Sequence, residues 1–151
     1  MKGLGTALIT PFMEDGNIDF QALSRLIEHQ VKGGVDYLVI LGTTSEVPTL
    51  SHEEQDQIIV HIVEQVAGRV PLVLGVGGNC TAAVVERIKG LENLLQDHFA
   101  AILSVTPYYN RPQQEGLYQH FCAVAEASPL PVILYNVPKR TGVNLLPETT
   151  R

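Results

Sequence analysis

The chain has 151 residues, of which 45% are hydrophobic and 17% charged, and 16 acidic against 10 basic residues give a net charge of −6. These values suit one ordinary globular domain with a hydrophobic core. The basic residues form no cluster, which argues against nucleic acid and membrane surfaces as partners. No apolar run approaches the roughly 20 residues that span a bilayer. Cys80 and Cys122 are isolated, and no secretory segment precedes them, so we expect free thiols in a cytoplasmic protein.

Short apolar runs recur along the chain about every thirty residues and predict the strands of a parallel sheet. The runs are continuously apolar, which is typical of strands that are covered on both faces. They are Thr6–Thr10, Asp36–Leu41, Pro71–Val76, Ala100–Val105 and Pro131–Tyr135.

Four amphipathic helices are predicted between these runs. Asp19 is a candidate N-cap for the first helix, and Ser51 with Glu54 has the spacing of a capping box at the start of the second. Pro112 is expected in the first turn of the fourth helix, and a fifth helix is expected to begin within Leu146–Arg151. The third is predicted as one continuous helix, with an apolar face made of Val84, Val85, Ile88, Leu91, Leu94 and Leu95.

This alternation of strands and helices predicts an α/β fold with parallel strands. A doubly wound sheet of five strands fits the length, but no glycine-rich phosphate loop follows the first strand. The glycines of 75–78 follow the third strand and lack GxGxxG spacing, so they carry little weight as a nucleotide site. A metal site is also not expected, because the histidines are scattered and His52 has no histidine four residues later.

Polar and aromatic residues collect in the loops that leave the predicted strands, whereas the loops that enter strands have few such residues. The first such loop is Gly42-Thr43-Thr44-Ser45-Glu46, the second is Thr106-Pro107-Tyr108-Tyr109-Asn110, and the third begins at Tyr135-Asn136. Because active sites of parallel α/β folds lie at the carboxyl ends of strands, these loops are the predicted site.

These loops resemble the motifs of dihydrodipicolinate synthases. Residues 42–46, followed by Thr49-Leu50, are similar to the signature GTTGE-x-x-TL. Residues 106–110 and 135–142 resemble the second and third motifs, in the family's order and at its spacing, and the similarity covers essentially the whole chain. The resemblance implies a (β/α)₈ TIM barrel, truncated here to about five strands and four helices. Residues 1–151 would be its N-terminal portion, with the C-terminal portion absent.

The resemblance also implies a reaction. Enzymes of this family condense pyruvate with aspartate semialdehyde to give 4-hydroxy-tetrahydrodipicolinate, on the diaminopimelate route to lysine. A lysine on the sixth strand forms a Schiff base with pyruvate, no cofactor takes part, and the enzymes are homo-oligomers. That lysine would follow Arg151, so we expect the isolated chain to be inactive. The ending at Arg151 favours a fragment over a natural half-barrel.

Site residues follow from the same resemblance. Thr43, Tyr109 and Tyr135 would form a proton relay, with Tyr135 nearest the Schiff base and Tyr109 reaching into a neighbouring subunit. Thr44 would hold the pyruvate carboxylate. Arg140 would hold the carboxylate of the semialdehyde, to which a planar guanidinium offers a bidentate match.

The chain departs from the family pattern at several positions. Ser45 replaces a glycine, which would strain the backbone by about 1 kcal/mol if that position requires a positive φ and would otherwise be harmless. His52, Asn79 and Tyr108 match a possible allosteric pocket for lysine. Gln55 and Ala83, however, stand where lysine-sensitive members carry His and Glu, which predicts weak or absent feedback inhibition.

Two alternative functions stay open from the sequence. N-acetylneuraminate lyases and 2-keto-3-deoxy sugar-acid aldolases share the barrel and the Schiff-base lysine, although Thr43-Thr44 and Arg140-Thr141-Gly142 fit the synthase better. The other alternative is a non-catalytic half-barrel that serves as an assembly module.

Overall fold

The computed structural model describes all residues from Met1 to Arg151. The chain divides into two compact units, Met1–Gly75 and Val76–Arg151. Strands alternate with helices in each unit, as the sequence predicts. No helix combines the length and the hydropathy that a bilayer-spanning segment requires.

The first unit contains three strands and two long helices. Strand β2 pairs in parallel with β1 through Gly5↔Tyr37 and with β3 through Leu38↔Leu72. Two short 3-10 turns, Thr43–Ser45 and Val47–Thr49, connect β2 to the second helix. The bounds are β1 Gly5–Ala7, α1 Phe20–Lys32, β2 Tyr37–Ile40, α2 His52–Val66 and β3 Leu72–Gly75.

Both predicted helix caps of the first unit are confirmed. The Asp19 carboxylate accepts a hydrogen bond from the backbone N–H of Ala22 at 2.8 Å. At the start of α2 the Ser51 hydroxyl accepts from the Glu54 N–H at 3.2 Å, and the Glu54 carboxylate accepts from the Ser51 N–H at 2.7 Å. The backbone hydrogen bond from Ser51 lowers the pKa of Glu54 below its usual value. The capping box therefore satisfies N–H groups that the first helical turn leaves unpaired.

The second unit contains two strands and four helices. Strands β4 and β5 are parallel, with a register that runs from Ile102↔Val132 to Val105↔Tyr135. Residues Pro147–Thr150 form a 3-10 turn. The bounds are α3 Thr81–Gly90, α4 Glu92–His98, β4 Ala101–Val105, α5 Gln114–Ala127, β5 Val132–Tyr135 and α6 Pro138–Thr141.

The prediction of a continuous third helix is wrong. The segment forms α3 and α4, because Gly90 has a low helix propensity and the N–H of Leu91 turns back to the carbonyls of Ile88 and Lys89. Apolar positions that were predicted on both sides of the break nevertheless face the core, since Val84, Ile88 and Leu95 are buried.

Three further features of the helices differ from prediction. Helix α5 begins at Gln114 after an extended Gln113, so Pro112 precedes the helix instead of lying in its first turn. The predicted fifth helix at Leu146–Arg151 is only the 3-10 turn Pro147–Thr150. Helix α6 was not predicted, and it lies in the loop that the sequence predicts to begin at Tyr135-Asn136.

Candidate active site

In the first unit, the candidate residues lie where β1 and β2 end. These strands are parallel, so the chain leaves both at the same edge of the sheet. Thr43 and Thr44 are exposed within the 3-10 turn that follows β2, whereas Ser45 is buried, with 3% of its surface accessible. The turn therefore presents two hydroxyl-bearing residues outward and holds the third inside.

Ser45 joins this turn to the end of β1. Its hydroxyl donates to the Leu8 carbonyl at 2.7 Å, and its own carbonyl accepts from the buried Thr10 hydroxyl at 2.9 Å. Ser45 does not have a positive φ, so replacing the family's glycine by serine does not strain the backbone here. Instead, serine contributes a buried hydrogen bond that glycine could not make.

The backbone on each side of residues 42–45 is unusual. Leu41 has φ 50° and Glu46 has φ 57°, both in the left-handed region that non-glycine residues rarely adopt. Leu41 is also buried. The Leu41 carbonyl would lie 2.1 Å from a Cβ atom added at Gly75, so only glycine fits at this point of β3. Strained residues of this kind cluster at functional sites.

In the second unit, the loop after β4 carries Tyr108 and Tyr109. Tyr109 is 87% exposed and has φ 71°, and Arg111 follows with φ 49°. Asn110 lies between them, and its side-chain amide donates to the Asn79 carbonyl at 2.6 Å. The backbone N–H of Asn110 donates to the Tyr108 carbonyl at 2.8 Å. Asn110 thus ties this loop to the segment before α3 and fixes the backbone that carries Tyr109.

Tyr135 is the last residue of β5, and its side chain is partly buried. Its carbonyl accepts from the Thr106 N–H at 3.1 Å, which keeps the ends of β4 and β5 together. Arg140 follows on α6, where it is exposed. Tyr109, Tyr135 and Arg140 therefore lie at or beyond the carboxyl ends of β4 and β5.

The residues of the possible allosteric pocket are distributed between the units. His52 is exposed at the start of α2 in the first unit. Asn79 and Tyr108, in the second, are both partly buried, and their carbonyls each accept a hydrogen bond from Asn110. Ala83 is exposed on α3 and supplies no charge.

Sequence reasoning assigned no role to the residues that hold these loops, namely Thr10, Asn110 and Asn136. Each is a polar residue in a loop that leaves a strand, and that position was the available signal. Nothing in the chain as described gathers three His, Cys, Asp or Glu side chains in a metal-binding cluster. The four lysines, Lys2, Lys32, Lys89 and Lys139, are all exposed, and none lies on a strand.

Comparisons with known proteins agree on one family. The sequence matches the Dihydrodipicolinate synthetase family over residues 1–151. A relative from Parabacteroides distasonis, a 4-hydroxy-tetrahydrodipicolinate synthase, is 58% identical over 153 residues, which cover 99% of this chain and 50% of that protein. The chain therefore spans about half the length of the curated relatives it matches.

Solved structures give the same result. The dihydrodipicolinate synthase of Acinetobacter baumannii, complexed with pyruvate, has a TM-score of 0.91 and 46% identity, covering 97% of this chain and 50% of that one. A monomeric dihydrodipicolinate synthase variant has a TM-score of 0.90 and 44% identity, covering 97% of this chain and 48% of its own. These likenesses confirm the predicted fold class, an α/β fold with the strand and helix order of a TIM barrel.

Proposed function

The chain belongs to the dihydrodipicolinate synthetase family, and from this we propose that its protein condenses pyruvate with aspartate semialdehyde to give 4-hydroxy-tetrahydrodipicolinate. One observation carries the proposal. In a chain 58% identical to such a synthase, the residues that match the family's motifs directly follow the carboxyl ends of β2, β4 and β5. Catalytic residues of α/β barrels come from this edge.

We propose that the Schiff-base amine lies outside residues 1–151, so that these residues form the N-terminal portion of one barrel domain. An amine that attacks a ketone must be held beside it in a site shielded from water. Lys2, Lys32, Lys89 and Lys139 do not meet this requirement, since all are exposed and lie on helices or before β1. The chain would instead supply groups that move protons and bind carboxylates around that amine.

The proton relay is proposed to consist of Thr43, Tyr109 and Tyr135. A phenol transfers its proton efficiently at neutral pH only when a positioned hydrogen-bond chain shares that proton. Tyr135 is the candidate acid and base nearest the imine, because it ends β5 and is partly buried. Tyr109 is 87% exposed, as would suit a residue completed by a second copy of the protein. We therefore also propose a homo-oligomer, and sedimentation of the intact protein tests that step.

Substrate carboxylates are proposed to bind at Thr44 and Arg140. The Thr44 hydroxyl and nearby backbone N–H groups would hold pyruvate, and the Arg140 guanidinium would hold the semialdehyde by two parallel hydrogen bonds. Hydrogen bonding to a fixed carboxylate orients the reacting carbonyl, which can account for a large part of the rate.

Reduction with borohydride in the presence of labelled pyruvate tests the proposal. The intact protein should retain label on a single lysine beyond Arg151, whereas residues 1–151 alone should retain none. Stable label on one of the four lysines of the chain would overturn the assignment of the amine. Turnover of N-acetylneuraminate or a 2-keto-3-deoxy sugar acid, without turnover of aspartate semialdehyde, would instead identify one of the sister aldolases. The absence of any pyruvate label on the intact protein would favour a non-catalytic module.

A further inference from the structure

A single side-chain amide closes the loop that carries Arg140. Asn136 directly follows β5, and its Nδ2 donates to the Leu145 carbonyl at 3.3 Å and to the Asn144 side-chain oxygen at 2.8 Å. Its Oδ1 accepts from the Leu145 N–H at 3.1 Å. The Asn136 amide thus pairs with both the N–H and the carbonyl of Leu145, as the backbone of a neighbouring strand would. Residues 136–145 consequently form a closed loop with Arg140 near its middle.

The interior of this loop is also fixed. Helix α6 ends at Thr141, and the C-cap Gly142 has φ 72° and donates its N–H to the Pro138 carbonyl at 2.9 Å. Thr141 is 4% exposed, and its hydroxyl lies 3.0 Å from the Val143 carbonyl and 3.2 Å from the Val137 carbonyl. Few torsions of the backbone next to Arg140 remain free.

A second amide attaches the far end of the loop to α5. The Gln114 Nε2 donates to the Asn144 carbonyl at 2.8 Å, and its Oε1 accepts from the Leu146 N–H at 3.1 Å. Between these contacts, Leu145 is buried in a cluster with Leu117 and Phe121. Gln114 therefore holds residues 144–146 against α5. Through its hydrogen bonds to residues 144 and 145, Asn136 holds the beginning of the loop to the same segment.

We propose that Asn136 is a positioning residue for Arg140. Arg140 is exposed, so the direction of its guanidinium depends on the backbone that carries it. By holding Leu145, the Asn136 amide fixes that backbone and thereby places the guanidinium where the semialdehyde carboxylate binds. The inference rests on the proposed function and adds to it a determinant of affinity for the second substrate.

Kinetics of the intact enzyme test the inference. Asn136→Ala should raise KM for aspartate semialdehyde about tenfold, the usual effect of losing hydrogen bonds that orient a charged contact. KM for pyruvate should remain within about twofold, since Arg140 is proposed to bind the semialdehyde and Thr44 the pyruvate. Asn136→Asp keeps the acceptor for the Leu145 N–H but loses both donated hydrogen bonds, so it should also raise KM for aspartate semialdehyde. Gln119→Ala is the matched control, because this exposed amide bonds to Glu115 on the same helix and should change neither constant.

A double-variant cycle separates positioning from general folding. If Asn136 acts through Arg140, then Asn136→Ala should cause no further rise in KM when it is added to Arg140→Ala. A further rise of similar size in that background, or an unchanged KM in Asn136→Ala, would overturn the inference. If Asn136→Ala fails to fold, the same comparison is made with Asn136→Asp, and an unchanged KM overturns the inference there also. An unmodified enzyme that does not turn over aspartate semialdehyde would instead refute the proposed function itself.

Discussion

Acidification should destabilise the protein through His120. This residue lies on α5 with 3% of its surface exposed, and its Nδ1 is 2.8 Å from the Thr81 hydroxyl at the start of α3. Its ring packs edge-on against Phe121, with centroids 5.1 Å apart. The buried Nε2 has no hydrogen-bond partner. Protonation of the ring would bring a charge into the contact between α3 and α5, where the Nε2–H would have no acceptor.

The sign and the size of the effect follow from this burial. Desolvation lowers the pKa of His120 below its ordinary value of 6.5. As pH falls below 6.5, the unfolded chain takes up the proton first, so the free energy of unfolding decreases until the pH passes the lower pKa of the folded state. The loss can reach about 1.4 kcal/mol for each pH unit within that window. Above pH 6.5 the imidazole is neutral in both states and contributes no slope.

Urea unfolding of the protein between about pH 5 and about pH 8 measures this slope. His120→Asn is the informative variant, because the amide can keep the hydrogen bond to Thr81 but cannot be protonated. The variant should lose less stability than the parent below pH 6.5. His98→Asn, at an exposed position on α4, is the control and should follow the parent. Parallel pH dependences for the parent and His120→Asn would refute the reasoning.

Three further predictions concern the loops. Ser45→Ala should lower the free energy of unfolding by about 1–2 kcal/mol through loss of the buried bond to Leu8, and Ser45→Gly by about 0.5–1 kcal/mol more, in urea titrations; equal stability of all three would contradict the assigned bond. Gly75→Ala should prevent normal folding of the first unit, because its Cβ would meet the Leu41 carbonyl at 2.1 Å, and a native circular-dichroism melt would contradict this. Lysine should inhibit the intact enzyme weakly, because Gln55 bonds to the Leu50 carbonyl and Ala83 offers no counter-charge; a micromolar inhibition constant would oppose that expectation.

Local signals in the sequence were sufficient for most of the secondary structure. Apolar runs identified the strands, and Asp19 and the Ser51–Glu54 capping box identified two helix starts, because each of these signals acts within a few residues. The break at Leu91 was missed for a physical reason. Apolar residues keep helical spacing across it, and hydrophobic periodicity does not register the conformational freedom of Gly90. Helix α6 was missed because four residues are too few to show a period.

The contacts that hold the candidate site could not be predicted in the same way. The motifs located the loops, but Ser45 and its partner Leu8 are separated by 37 residues, and Asn110 and Asn79 by 31. Which carbonyl a side chain reaches over such a separation is decided by strand register, which the sequence pattern does not determine at atomic detail. The same holds for the left-handed backbone of Leu41, since leucine is an unfavourable residue for that conformation.

Hydrogen bonds of buried side chains explain how exposed side chains can be placed accurately. Thr43, Thr44 and Arg140 are exposed, and buried neighbours fix the backbone at each of these positions, Ser45 in the first unit and Thr141 in the second. A loop beyond a strand end has no ladder of backbone hydrogen bonds, so side-chain hydrogen bonds must restrict it. Ordering the backbone before a substrate arrives lowers the conformational entropy that binding would otherwise lose. Substitutions at the buried Ser45 and Thr141 should therefore weaken the affinity for the proposed substrates, although both side chains lie inside the protein.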